Sequence, residues 1–195
     1  NVDHISEYRV IGGEPLMNKK WAEITNGILD QNPDRAVYIY TNATICPKDE
    51  QLESFKGKNL HFYITDYDKL SRNMDKVIEA LNKHDISYYR KPAGNWVDCS
   101  RIRKHNRTIS RLKQVFKECC AKQLYTLLNG KLYTCPFIAN AANLNAIPEN
   151  KADFVDVLSD VDNLKNKIKK LVKMKFFFPA CDFCDGRPHD PAKAL

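Results

Sequence analysis

Ala36-Val-Tyr-Ile-Tyr-Thr41 is a continuous run of apolar and β-branched residues, the mark of a strand buried on both faces of a sheet. Asn32-Pro33-Asp34 breaks whatever precedes it, and the polar pair Thr41-Asn42 ends it. Upstream, Trp21, Ile24 and Ile28 recur at helical spacing, which predicts an amphipathic helix over residues 18–31. Before that helix, residues 8–11 read as a short strand stopping at Gly12-Gly13-Glu14-Pro15. Glycines at a strand end bring backbone N–H and C=O groups within close reach of a ligand. Downstream, a short helix over residues 48–55 follows Pro47, and Leu60-His-Phe-Tyr-Ile-Thr65 is the next strand, ending at Asp66. Leu70, Met74, Val77, Ile78 and Leu81 mark a longer helix capped near Asp68. Residues 86–90 are the fourth strand, stopped by Lys91-Pro92.

Strands and helices thus alternate with short connections, which implies parallel strands, right-handed crossovers and helices outside the sheet. The expected class is α/β, with four parallel strands in sequential order and residues 8–11 at an exposed edge. Ligands of such folds bind at the C-terminal strand ends, which carry Gly12, Gly13 and Glu14, then Thr41-Asn42, Thr65-Asp66 and Arg90. Glu14 is expected to point over that rim.

The second half reads differently. Asn95-Trp-Val-Asp-Cys-Ser100 gives no clear fifth strand, and Ile109, Leu112, Val115 and Phe116 predict a helix over residues 108–118. Then Cys120, Gly130 and Cys135 form a C-x9-G-x4-C pattern, closed later by Cys181-Asp-Phe-Cys184. Two apolar runs, 123–128 and 131–134, flank Asn129-Gly130, a strong signal for a type I′ hairpin. Such a hairpin brings Cys120 and Cys135 to its open end, and the C-x2-C turn supplies two more thiols. Four thiolates suit zinc or an iron–sulfur cluster. Buried core cysteines and disulfides are the bland readings, and disulfides are disfavoured because nothing else looks secreted. Cys119 adjoins Cys120 and could replace it, while Cys46 and Cys99 read as small buried hydrophobes. Leu164, Ile168, Leu171 and Val172 define a last helix, with Asp162 a cap candidate, and the tail after Gly186 has no apolar pattern.

Composition narrows the class further. With 195 residues, 43% hydrophobic and 28% charged, the chain has an ordinary globular composition. It has no apolar run long enough for a bilayer and no signal peptide, so a cytoplasmic location without membrane association is expected. The formal charge of +7 is concentrated at 101–107 and 165–175, clusters that could grip nucleic acid but read better as solvated faces.

Gly12-Gly13-Glu14-Pro15 after a strand, Thr41-Asn42 after the next, and the Cys120, Cys135, Cys181, Cys184 pattern together resemble the radical S-adenosylmethionine enzymes that carry a C-terminal SPASM or Twitch domain. The resemblance divides the chain into 1–107, a partial barrel, 108–187, a single-cluster Twitch-like domain, and a tail at 188–195. It implies S-adenosyl-L-methionine held by Gly12, Gly13, Glu14, Asn42 and Thr65, and an auxiliary 4Fe-4S cluster, or zinc as a substitute metal, held by the four cysteines. It further implies a 5′-deoxyadenosyl radical that abstracts hydrogen from a small-molecule, sugar or peptide substrate, with flavodoxin or ferredoxin as electron donor. The family's C-x3-C-x2-C motif does not occur in this sequence, so the chain is expected to be a fragment of an enzyme, inactive alone. The contrasting reading is a zinc-binding basic module that grips nucleic acid or a protein.

Overall fold

The computed structural model describes residues 5–94, 101–122, 124–159, 161–174 and 176–186. The run from Asn95 to Ser100, including Cys99, and the tail at 188–195 lie outside the described residues. The chain divides into two compact units, one of residues 3–94 and one containing residues 95–195.

In the first unit, strands β1 (Glu7–Val10), β2 (Ala36–Thr41), β3 (Leu60–Asp66) and β4 (Ser87–Pro92) form one sheet in that order. Every neighbouring pair is parallel. Helices α1 (Trp21–Gln31), α2 (Asp49–Glu53) and α3 (Met74–Lys83) connect them. Their apolar residues, Trp21, Leu29, Leu52, Val77 and Leu81 among them, share one core with Val37, Ile39, Phe62 and Ile64 of the sheet. Trp21 stacks on Phe55 and meets Phe62 edge-on.

The expectation that β2 is buried on both faces is corrected here. Its residues alternate, Val37, Ile39 and Thr41 buried and Tyr38 and Tyr40 half-buried. Successive side chains of a strand face opposite ways, and the three helices fill one core on one face. Aromatic rings with polar tips supply the run's hydrophobicity on the other. Helix α1 starts later than residue 18 because a 3-10 turn at Pro15–Met17 comes first. β1 lies at one sheet edge, as expected, but it is β4, at the other edge, whose six residues are all exposed.

The second unit contains α4 (Ile109–Glu118), β5 (Thr126–Leu128), β6 (Lys131–Tyr133), α5 (Pro136–Asn143), β7 (Phe154–Asp156) and α6 (Leu164–Lys173). The hairpin forms as read, with positive φ at both Asn129 (49°) and Gly130 (74°). β7, which the sequence did not reveal, pairs antiparallel with β6 to complete a three-stranded sheet. A Cβ at Gly130 would fall 2.5 Å from the Leu158 Cδ1. Leu158 is 74% exposed and can swing aside, so Gly130→Ala is expected to cost mainly the left-handed backbone, about 1 kcal/mol. A urea-unfolding midpoint checks this.

The basic segment 101–107 is not simply a solvated face. Ile102 bridges Cys184, and the N–H groups of Arg103 and His105 donate to the carbonyls of Phe183 and Asp182 at 3.1 and 3.0 Å. The Asp182 carboxylate accepts from the N–H groups of Asn106 and Arg107, and the Arg107 guanidinium donates to the Cys181 carbonyl. These bonds place 101–107 with the second unit, so the units divide earlier in the chain than the boundary read at 107. Among the described residues no helix is long and apolar enough to cross a membrane.

Candidate cofactor rim and thiol site

The first candidate site is the rim at the C-terminal ends of β1 to β3. Glu14 is only 9% exposed and turns back toward the protein instead of out over the rim. The Leu16 N–H donates to its Oε1 at 3.1 Å, the Asn42 N–H to its Oε2 at 2.9 Å, and the Thr41 hydroxyl lies 2.9 Å from both oxygens. A Glu followed by Pro15 at the first position of the 3-10 turn makes an N-terminal cap, and the same carboxylate fastens the end of β1 to the end of β2. An ionised carboxylate has about four acceptor positions. These three donors leave one for a ligand.

Gly12 and Gly13 are exposed, and a Cβ on either would meet nothing of this chain. Their lack of side chains therefore serves no internal packing and leaves the strand end open to approach. The Asn42 side chain is occupied, its Oδ1 accepting from the Thr44 N–H at 2.9 Å and the Thr44 hydroxyl at 2.6 Å. Thr65 is half-buried near the end of β3. Near the ends of β3 and β4, Arg90 is paired with Asp66 at 2.6 Å, an exposed pair that holds the Asp66 carboxyl below its usual range through the Arg90 hydrogen bond.

The second candidate site gathers thiols from three stretches of the second unit. Cys119 ends α4 and Cys135 stands just before α5. Cys181 lies in the 3-10 segment Pro179–Phe183, and Cys184 follows it. Each of these four sulfurs accepts a backbone N–H. Ala121 donates to Cys119 at 3.3 Å, Phe178 to Cys181 at 3.4 Å and Gly186 to Cys184 at 3.3 Å, while Ile138 and Phe137 donate to Cys135.

Three of these thiols are pushed up by their surroundings. Burial pushes the Cys119 thiol up, with Cys120 and Cys184 adding to the rise. Burial pushes Cys135 up to about 11, with Cys119 and Cys184 adding to it, and Cys181 up to about 12, with Cys135 and Cys119 adding to it. Cys120, expected from spacing as the first ligand, is exposed, whereas its neighbour Cys119 is half-buried and accepts the Ala121 N–H.

Thiols are the donor type that zinc and iron–sulfur clusters take. Buried thiols that resist ionisation become thiolates readily beside a cation, and N–H···S bonds are the usual support of cluster sulfurs. Thr134, next to Cys135 and 3% exposed, has a buried hydroxyl with no partner among the described residues. No three His, Cys, Asp or Glu among the described residues already stand as a ready metal-holding set.

Sequence reasoning missed Asp153. It is 3% exposed and accepts from the Ala180 N–H at 3.1 Å, so it holds the segment that carries Cys181. Burial raises its carboxyl to about 6, against the lowering by that N–H. A carboxyl raised in the folded state contributes stability below its unfolded value near 4, which is lost as pH rises through about 6. Asp153→Asn in the metal-free protein keeps the acceptor oxygen and removes the charge. It is expected to stabilise the second unit by about 2–3 kcal/mol at pH 7 and by nothing near pH 3, read from thermal melts across that range.

Compared with models of known protein families and with curated proteins, the chain matches none.

Proposed function

We propose that this chain is part of a radical S-adenosylmethionine enzyme, carrying the partial barrel with the cofactor rim and an auxiliary 4Fe-4S site. The observation that carries the reading is the second site, where four thiols from three stretches each accept a backbone N–H and burial holds Cys119, Cys135 and Cys181 in the thiol form. Support comes from the parallel sheet, whose C-terminal rim holds Gly12, Gly13, Glu14, Asn42 and Thr65.

In this reading Cys119, Cys135, Cys181 and Cys184 hold the cluster, with zinc as the substitute metal. When bound, the cluster supplies an electron acceptor or an anchor for substrate. Asp153 fixes the Cys181 segment, and the Thr134 hydroxyl supplies a hydrogen bond near Cys135. On the rim, Glu14 offers its remaining acceptor position to a ligand ammonium, a charge-assisted bond worth about 1.5–3 kcal/mol. Gly12 and Gly13 leave the backbone open to the same ligand.

The C-x3-C-x2-C cluster motif would come from residues other than these 195. A flavodoxin or ferredoxin would then serve as electron donor, and the substrate would be a small molecule, sugar or peptide. Basic charge at 101–107 gives the nucleic-acid reading little, since Asp182 and Asp185 already bind that segment.

Anaerobic reconstitution with iron and sulfide tests the proposal. Roughly four iron atoms per chain and a brown protein are expected. Colourless protein binding one zinc and no iron would overturn the reading.

A further inference from the structure

The face of the first unit's sheet opposite the helices is furnished with rings and cations. By strand register, Tyr38, His61 and Ser87 form one row across the sheet, and Tyr40, Tyr63 and Tyr89 form the next. Asn42 continues that alternation beyond β2, on a level with Thr65 and Lys91, nearest the C-terminal ends. Tyr40 and Tyr63 stack at 4.8 Å with planes 20° apart, and Tyr38 and His61 at 5.0 Å and 26°. Tyr63 and Tyr89 lie 5.1 Å apart, tilted.

These spacings match the distance between neighbouring strands, about 4.7–4.9 Å. The rings therefore stand upright on the sheet like plates in a rack, with π-faces spent on each other and on Arg9, which lies 5.7 Å from the Tyr40 ring. What the rack offers outward is ring edges and hydroxyls. That surface suits a partner rich in hydrogen-bonding groups and does not suit a stacked base or a lipid tail.

Charge narrows the partner further. Arg9 is held by Glu7, and the rim carboxylate Asp66 is held by Arg90. Lys91 lies 5.3 Å from the Tyr63 ring centroid and bonds to the Tyr63 hydroxyl. Among the described residues Lys91 makes no ion pair with a carboxylate, its partner being the Tyr63 ring and hydroxyl.

We infer that this face receives a small polyhydroxylated substrate through an anionic group, with Lys91 anchoring the anion and the Tyr63 and Tyr89 hydroxyls meeting the scaffold. That the bound molecule is a substrate rests on the proposed function. The binding itself does not.

The test is NMR of the whole chain with tyrosine labelled at the ring carbon bearing the hydroxyl, titrated with glucose 6-phosphate, glucuronate and glucose. Saturable shifts of Tyr63 and Tyr89 are expected with at least one of the two anionic sugars, and the one that binds identifies the anion as phosphate or carboxylate. Glucose is expected to bind at least tenfold more weakly. Lys91→Met should weaken the anionic sugar at least tenfold and Lys91→Arg should restore most of it, with an unchanged melting curve as the folding control. No shift with either anion, equal binding of glucose, or an unaffected Lys91→Met variant would overturn the inference. Because no cluster is needed for this titration, its failure is distinct from a failure to bind iron.

Discussion

Replacing Glu14 by Ala is expected to destabilise the first unit by about 3–6 kcal/mol. The loss would leave the Leu16 N–H, the Asn42 N–H and the Thr41 hydroxyl without their acceptor, in a place where Glu14 is 9% and Thr41 3% exposed. A buried donor stripped of its partner costs about 1–3 kcal/mol. Glu14→Gln keeps one carbonyl oxygen but turns an amide NH2 toward donors, so it should cost about 1–3 kcal/mol. Urea unfolding followed by the fluorescence of Trp21, which is buried in that unit's core, measures both. A change under 1 kcal/mol for Glu14→Ala would mean that water replaces the carboxylate at no loss and that Glu14 is no tie between β1 and β2.

Phe178→Ala should have the largest effect in the second unit. Phe178 is 1% exposed and meets Phe116 edge-on at 5.7 Å, in the same core as Tyr133, Ile138, Val155 and Leu171. Truncating a buried Phe costs about 3–5 kcal/mol. The Phe178 N–H also donates to Cys181, so the cavity would loosen the segment that carries that thiol. Amide hydrogen exchange should show lost protection across α5 and α6 while β2 and β3 keep theirs. Loss spread equally over both units would contradict a local effect of Phe178 on the second unit's core.

Sequence alone carried the first unit well because its signals are local and agree with one another. The Ala36–Thr41 strand, the turn residues after it and the helical spacing of Trp21 and Ile28 all imply the same alternation. What it could not show is which face of a hydrophobic run is covered, since tyrosine counts as apolar by composition yet Tyr38 and Tyr40 present hydroxyls. The hairpin was legible because Asn129-Gly130 permits few other conformations. β7 was not, since three residues give too short a pattern, and its pairing with β6 is decided by packing of the unit.

At the sites, spacing singled out the cysteine stretches of the second unit but could not separate Cys119 from Cys120, which differ by one position. At the end of α4 they differ in burial, Cys119 half-buried beneath the Ala121 N–H and Cys120 exposed. Glu14 carries a readable local signal, the Glu-Pro pair that starts a 3-10 turn with a side-chain cap. Asp153 carried none, because an isolated aspartate before a strand is ordinary in sequence and distinctive only when buried.

The central claim is that Cys119, Cys135, Cys181 and Cys184 together hold one cluster. The direct measurement is iron and sulfide content, with the visible spectrum, of the anaerobically reconstituted chain and of its Cys119→Ser and Cys120→Ser variants. The account predicts that Cys120→Ser keeps the full cluster while Cys119→Ser loses most of it. A Cys120→Ser variant that loses the cluster while Cys119→Ser retains it would contradict the assignment, and a chain that takes up no iron in any form would contradict the cluster itself.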